Sequence, residues 1–210
     1  LLKEIPIKQP LIFLSSDHLI EKIRKFNSEI KKNVKFLNNK NLFIFGIKPT
    51  SPSNQFGYFL SKKRKNLNKV SKFLEKPNYI KAKSIIKKGG YWNSGMFLLR
   101  KDSLLNNFKY YQKKIYRNSV LAVNKSNYKN NIYYLNKKAF IKNPSRSFDY
   151  AILEKTKDIN AIKLNIPWSD LGSWKEILLM FNKKKAGYFM KKNVYRRPWG
   201  SYTNLFNGKN

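Results

Sequence analysis

The chain has 210 residues, with 45 Lys and Arg against 11 Asp and Glu and a formal net charge of +34, a length that suits one substantial domain or one domain plus part of another. Hydrophobic residues make up 41% and aromatics 15%, which excludes a disordered chain, and no apolar run approaches the ~20 residues of a membrane span. With no cysteine and a single histidine, His18, disulfides, thiolate metal sites and a cysteine nucleophile are excluded, and neither a Ser-His-Asp triad nor a multi-histidine metal centre is expected.

The sequence opens Leu-Leu-Lys-Glu-Ile-Pro, without initiator Met or signal pattern, and reads as a piece of a longer polypeptide. Leu11 to Leu14 predicts a short buried strand running into Ser15-Ser16-Asp17-His18. From Leu19 to Leu37, apolar residues fall at helical spacing (Leu19, Ile20, Ile23, Phe26, Ile30, Val34, Leu37), and Asn38-Asn39-Lys40-Asn41 breaks the pattern. Leu42 to Ile47 is a second continuous apolar strand, stopped by Pro49 and Pro52. Strand, helix, strand with apolar runs is how a sheet covered on both faces reads. Phe56 to Leu60 and Val70 to Leu74 predict two more strands about a basic turn, and Pro77 opens a short helix to about Lys87. Gly89-Gly90 precede Tyr91 to Leu99, apolar at both ends with Asn93-Ser94-Gly95 at its centre; Asp102 can cap a helix carrying Leu104, Leu105 and Phe108. Residues 113 to 138 carry no clear pattern. Phe148 to Thr156 reads as helix, Ile159 to Ile166 as strand and Trp174 to Phe181 as helix; from Asn193 a turn and a new β-strand begin.

A charge of +34 points first to nucleic acid, since Lys and Arg release phosphate counterions. Only seven of the basic residues are Arg, however, and the lysines are spread in twos and threes over the whole chain. A solvated basic surface accounts for that pattern better than a nucleic-acid arm does.

In so basic a chain, the acids that end apolar strands stand out. Asp17 and Asp170 each follow one, at the strand edge where open α/β sheets bind ligands. Together they would suit a divalent cation such as Mg²⁺, which takes one or two protein carboxylates. Asp17 could instead cap the helix at Leu19, and Asp170 could close an Asx-turn. Glu75 and Lys76 follow the strand ending at Leu74, where a carboxylate can accept from hydroxyls and an ammonium can pair with phosphate, or the two could form a surface ion pair. Asn93-Ser94-Gly95 inside a bulky run marks either a close ligand approach or a β-bulge.

The stretches Leu14-Ser15-Ser16-Asp17-His18, Phe45-Gly46-Ile47-Lys48-Pro49, Phe56-Gly57-Tyr58-Phe59, Phe73-Leu74-Glu75-Lys76-Pro77, Tyr91-Trp92-Asn93-Ser94-Gly95, Ser147-Phe148-Asp149-Tyr150-Ala151 and Trp168-Ser169-Asp170-Leu171-Gly172 occur in an order that resembles the mannose-1-phosphate guanylyltransferase family. The likeness is to its bacterial long form, in which an isomerase domain follows; Arg197-Pro198-Trp199-Gly200 looks like the start of that second domain. The resemblance implies a nucleotide-diphospho-sugar transferase fold, a Rossmann-like mixed α/β sheet flanked by helices. Residues 1–192 would be part of the transferase domain and 193–210 the beginning of a cupin-like barrel. It implies GTP and mannose 1-phosphate as substrates, Mg²⁺ as cofactor, a cytoplasmic setting and no specific nucleic acid or membrane partner. By the same resemblance Asp17 and Asp170 would hold the metal, Glu75 the mannose hydroxyls and Lys76 the sugar phosphate, with Gly57, Asn93 and Gly95 lining the sugar pocket and Asp149 nearby without a role. Asp17, Lys76 and Asp170 would be the residues of catalysis.

The family's Gly-rich phosphate loop has no counterpart in residues 1–16, and Gln55 replaces a glycine of the sugar-side loop. The 210 residues are therefore expected to be inactive alone. Two other readings are open: a sibling pyrophosphorylase with a different base or sugar, and a polyanion binder without catalysis. An incomplete sheet would leave strand edges that invite association between copies.

Overall fold

The computed structural model describes residues 4–130 and 132–172, together with the strand residues 195–196 and 202–203. The chain divides into two units, Leu1–Ser16 with Ile20–Trp168 and Asp17–Leu19 with Ser169–Asn210.

The first unit is built on a mixed sheet. Its strands are β1 (Pro10–Phe13), β3 (Leu42–Ile47), β4 (Gly57–Arg64), β5 (Leu67–Leu74), β6 (Tyr91–Arg100) and β9 (Ile159–Leu164), in the order β1-β6-β3-β9-β5-β4, with β6 also pairing β4. β3 and β9 run parallel in register from Leu42↔Ile159 to Ile47↔Leu164, and β6 runs antiparallel beside β3. All six residues of β3 are buried because both faces of the strand are covered. Phe43, Phe45 and Ile47 pack into one core with Phe26 of helix α1 (Ile23–Val34) and Ala82 and Ile85 of helix α2 (Tyr79–Lys87). Leu42 and Ile44 pack into the other with Leu104 of helix α3 (Lys101–Tyr111) and Ala151, Ile152 and Leu153. Burial of each of the Leu, Ile and Phe side chains among these stabilises the fold by about 1.5–3 kcal/mol. Gly46 continues the second set, and there only a glycine fits: a Cβ would stand 2.4 Å from Cζ of Phe59.

Several expectations need correction. The strand at Leu11 is not buried: β1 lies at the edge of the sheet, antiparallel to β6, with Ile12 38% and Phe13 37% exposed. Leu19–Ile20 are not helical but form a two-residue strand, β2, paired with β10 (Trp168–Ser169). Helix α1 starts four residues later, with Lys22 at its N-cap and no side-chain cap bond, so Asp17 does not cap it. The basic residues Lys62, Lys63 and Arg64 extend β4 rather than forming the turn, which falls at Lys65, at φ 51°. Asn78, not Pro77, opens α2, its side chain accepting from the Lys81 N–H at 3.0 Å. Asp102 lies inside the first turn of α3, where it accepts from Arg100 Nε at 3.0 Å, while Arg100 holds the N-cap.

The stretch without a clear pattern is helix α4 (Lys113–Asn124), a hairpin of β7 (Asn127–Lys129) and β8 (Ile132–Tyr134), and helix α5 (Lys137–Phe140). The expected helix at 148–156 is a π-type turn, Asp149–Leu153. In the second unit β11 (Tyr195–Arg196) pairs antiparallel with β12 (Tyr202–Thr203), as expected of the region after Asn193. The helix predicted over 174–181 lies outside the described residues. Among the described residues no helix is long and apolar enough to cross a membrane.

Candidate active site

In the first unit the sequence-predicted residues Gly57, Glu75, Lys76, Asn93 and Gly95 come together on the sheet face that carries the second core. Asn93 is the pivot. It lies in β6 opposite Gly46 of β3 on one side and Gly57 of β4 on the other, so both cross-strand neighbours lack a side chain on its face. The register of β6 against β3 shifts between Ile44↔Phe97 and Gly46↔Asn93, which places a bulge at residues 94–96. Gly95 sits in it at φ 74°, a conformation that favours glycine. The bulge reading of this segment is thus present in the structure, and it brings the Gly95 N–H to Asn93 Oδ1 at 3.4 Å.

Glu75 directly follows β5 and reaches over Gly57. A Cβ on Gly57 would stand 2.5 Å from Oε2 of Glu75 and 3.4 Å from Cβ of Asn93, so the missing side chain is what admits the carboxyl group. Burial, then the neighbouring Asp149, push the Glu75 carboxyl up to about 7; Lys76 opposes them and Glu154 adds to them. Lys76 takes φ 43°, a left-handed conformation costly for a residue with a Cβ. Backbone strain of this kind concentrates at functional sites. No Glu75–Lys76 ion pair forms among the described residues, but Lys76 acts on both Glu75 and Asp149.

Two further acids complete the cluster. Asn93 Nδ2 donates to Asp149 Oδ1 at 2.8 Å, and the Glu75 backbone N–H donates to Glu154 Oε1 at 3.3 Å. Burial raises the Asp149 carboxyl, against the hydrogen bonds from its own backbone and Asn93 and the charge of Lys76. Sequence reasoning gave these two residues no role. Asp149 belongs to a motif quoted above, but a contact between positions 56 apart has no local signal.

In the second unit, Asp17 and Asp170 both act on the imidazole of His18, whose Nε2 is 4.0 Å from Asp17 Oδ1. The His18 side chain is 10% exposed and that of Asp17 70% exposed. Burial lowers the His18 pKa, and the two carboxylates oppose that shift only in part. Asp170 Oδ1 accepts the Gly172 N–H at 3.3 Å, the Asx-turn anticipated from sequence, and Gly172 has no side chain to crowd the carboxylate. Asp17 and Asp170 supply carboxylate oxygens, the kind of donor Mg²⁺ takes. Among the described residues no group of three or more His, Cys, Asp and Glu is placed to hold a metal ion, so a cation held by these two carboxylates would take its remaining ligands from phosphate and water oxygens.

The profile of the nucleotidyl transferase family matches residues 2–186, and the chain belongs to that family. It is 34% identical over 190 residues to the mannose-1-phosphate guanylyltransferase of Escherichia coli, an alignment that covers 87% of this chain and 41% of that protein. A crystal structure described as mannose-6-phosphate isomerase from Helicobacter pylori superimposes with a TM-score of 0.71 at 29% identity, covering 80% of this chain and 66% of that one. One described as mannose-1-phosphate geranyltransferase from Thermus thermophilus gives 0.71 at 21% identity, covering 82% and 49%, a likeness of fold alone. The chain spans about two fifths of the length of the curated relatives it matches.

Proposed function

We propose that this chain carries the sugar-recognition part and the metal carboxylates of an enzyme that joins GTP and mannose 1-phosphate into GDP-mannose and pyrophosphate. The observation that carries the proposal is the Glu75 carboxyl seated over Gly57 beside the buried Asn93 amide. A carboxylate accepts from hydroxyl groups, an amide both donates and accepts, and the two stand side by side because Gly57 has no side chain to separate them. The relatives' names supply the identity of the sugar and the base.

In the proposed reaction, an oxygen of the mannose phosphate attacks the α-phosphorus of GTP in line, and the bond from that phosphorus to the bridging oxygen of the β-phosphate breaks. Glu75 and Asn93 hold the sugar hydroxyls, and Lys76 pairs as a point charge with the sugar phosphate. Orientation of the attacking oxygen by these contacts supplies much of the rate enhancement, because no covalent bond to the protein is needed. Asp17 and Asp170 would hold Mg²⁺, which when bound neutralises charge on the phosphate oxygens.

The test is pyrophosphate release by the full-length protein over a panel of nucleoside triphosphates and hexose 1-phosphates. GTP with mannose 1-phosphate is expected to give the highest kcat/KM. A clear preference for another base or sugar would assign the chain to a sibling transferase, and no release from any pair would overturn the proposal.

A further inference from the structure

The π-type turn does more than cover the second core. Its five-residue ring closes with the Glu154 N–H donating to the Asp149 carbonyl at 3.0 Å. In an α-helix five residues turn through about 500°, so positions 149 and 154 would point roughly 140° apart. The wider ring brings these two acids to one side, where each meets a different residue of the sugar pocket. Asp149 receives Nδ2–H of Asn93 at 2.8 Å, and Glu154 receives the backbone N–H of Glu75 at 3.3 Å.

We propose that this turn is a two-point clamp, with Asp149 and Glu154 as positioning residues that hold Asn93 and Glu75 for the hydroxyl-bearing end of the substrate; the inference rests on the sugar-phosphate reading above. The chemistry at each point supports it. An amide can present either end to a ligand, and an ionised carboxylate only accepts. Asp149 therefore draws Nδ2 toward itself, and the Gly95 N–H takes Oδ1 from the other side. The Asn93 amide is left with one fixed orientation. Glu154 anchors the residue that leads into Lys76, whose φ of 43° needs support from its surroundings. The turn itself is fixed to the sheet. Phe148 stacks on Phe97 of β6 with ring centroids 4.2 Å apart and planes within 11°, and Gln112 Nε2 donates to the Ala151 carbonyl at 2.7 Å.

The test compares Asp149→Ala, Asp149→Asn, Glu154→Ala and Glu154→Gln in the full-length enzyme with its metal supplied. Loss of a positioning hydrogen bond should raise the KM for mannose 1-phosphate about tenfold in the alanine variants and leave the KM for GTP within about twofold. The amide variants keep an acceptor and should recover most of the loss. Glu154 is exposed, so its alanine variant reads the second point even where Asp149→Ala does not fold. A sugar-phosphate KM that stays at the wild-type value, or two KM values that rise together, overturns the clamp. The Asn93 side-chain amide resonance gives a readout independent of turnover. Its hydrogen-bonded proton should move to the free-amide position in Asp149→Ala, and an unmoved resonance also overturns the clamp. A wild-type enzyme that releases no pyrophosphate would instead count against the functional reading, and the resonance would still decide the clamp.

Discussion

Adding one methyl group at Gly57 probes the candidate pocket with little disturbance elsewhere. The new Cβ would stand 2.5 Å from Oε2 of Glu75, whereas ordinary contact begins near 3.4 Å, so the carboxyl group must retreat by about 0.9 Å. It can do so cheaply, because it is the far end of a flexible side chain, and Gly57 has no left-handed φ for alanine to strain. Stability should therefore change by less than about 1 kcal/mol, the more so because alanine restricts the unfolded chain. Binding should suffer far more. Hydrogen bonds to a charged group contribute about 1.5–3 kcal/mol, and a 1 Å misplacement can cost about a hundredfold. Gly57→Ala is expected to raise the KM for mannose 1-phosphate about ten- to a hundredfold, with Tm and the KM for GTP nearly unchanged. Steady-state kinetics with each substrate varied in turn, beside a thermal melt, make the measurement. A variant that melts like wild type and keeps its sugar-phosphate KM would refute the placement of Glu75 at the substrate.

Three other outcomes follow from the same structure. The Glu75 carboxyl ordinarily titrates at 4.5 and is raised to about 7 in the fold; between those values the native state holds a proton that the unfolded chain has released, so stability falls as pH rises across that window. Glu75→Gln should remove roughly 1–2 kcal/mol of that decline, allowing for solvent screening of a half-buried group, in urea melts at pH 4.5 and 8; equal slopes for both proteins would contradict the assignment. Gly46→Ala would drive a Cβ to within 2.4 Å of the buried Phe59 ring, and should destabilise the fold by about 1–3 kcal/mol by chemical denaturation; a neutral change would show that the two cores have slack there. Asp170→Asn should raise the Mg²⁺ concentration needed for half-maximal turnover of the full-length enzyme by at least about tenfold, and an unchanged titration would remove Asp170 from the metal.

The parts of the fold that were legible are those where local chemistry leaves little choice. Leu42–Ile47 has no polar residue, and a strand buried on both faces is what that run becomes. Asn93 and Gly95 stood out because small and polar residues interrupt bulky ones, and the bulge with its left-handed glycine is the cause. Leu11–Leu14 misled because an apolar run does not say how many faces are covered; β1 pairs with β6 and leaves Ile12 and Phe13 part-exposed. Leu19 and Ile20 sit at helical spacing, yet they pair as a strand with Trp168–Ser169, a choice made by partners far along the chain. The π-type turn had no signature, since apolar residues at 148, 151 and 152 suit an α-helix equally well. The meeting of Asp149 with Asn93 joins positions 56 apart, which no local pattern records.

The pocket can be watched directly as it fills. Titration of mannose 1-phosphate into the isotope-labelled full-length protein, followed through the backbone amide of Gly57 and the side-chain amide of Asn93, should shift both resonances together along one binding curve. Shifts confined to other regions of the protein, with these two signals fixed at saturation, would contradict the account.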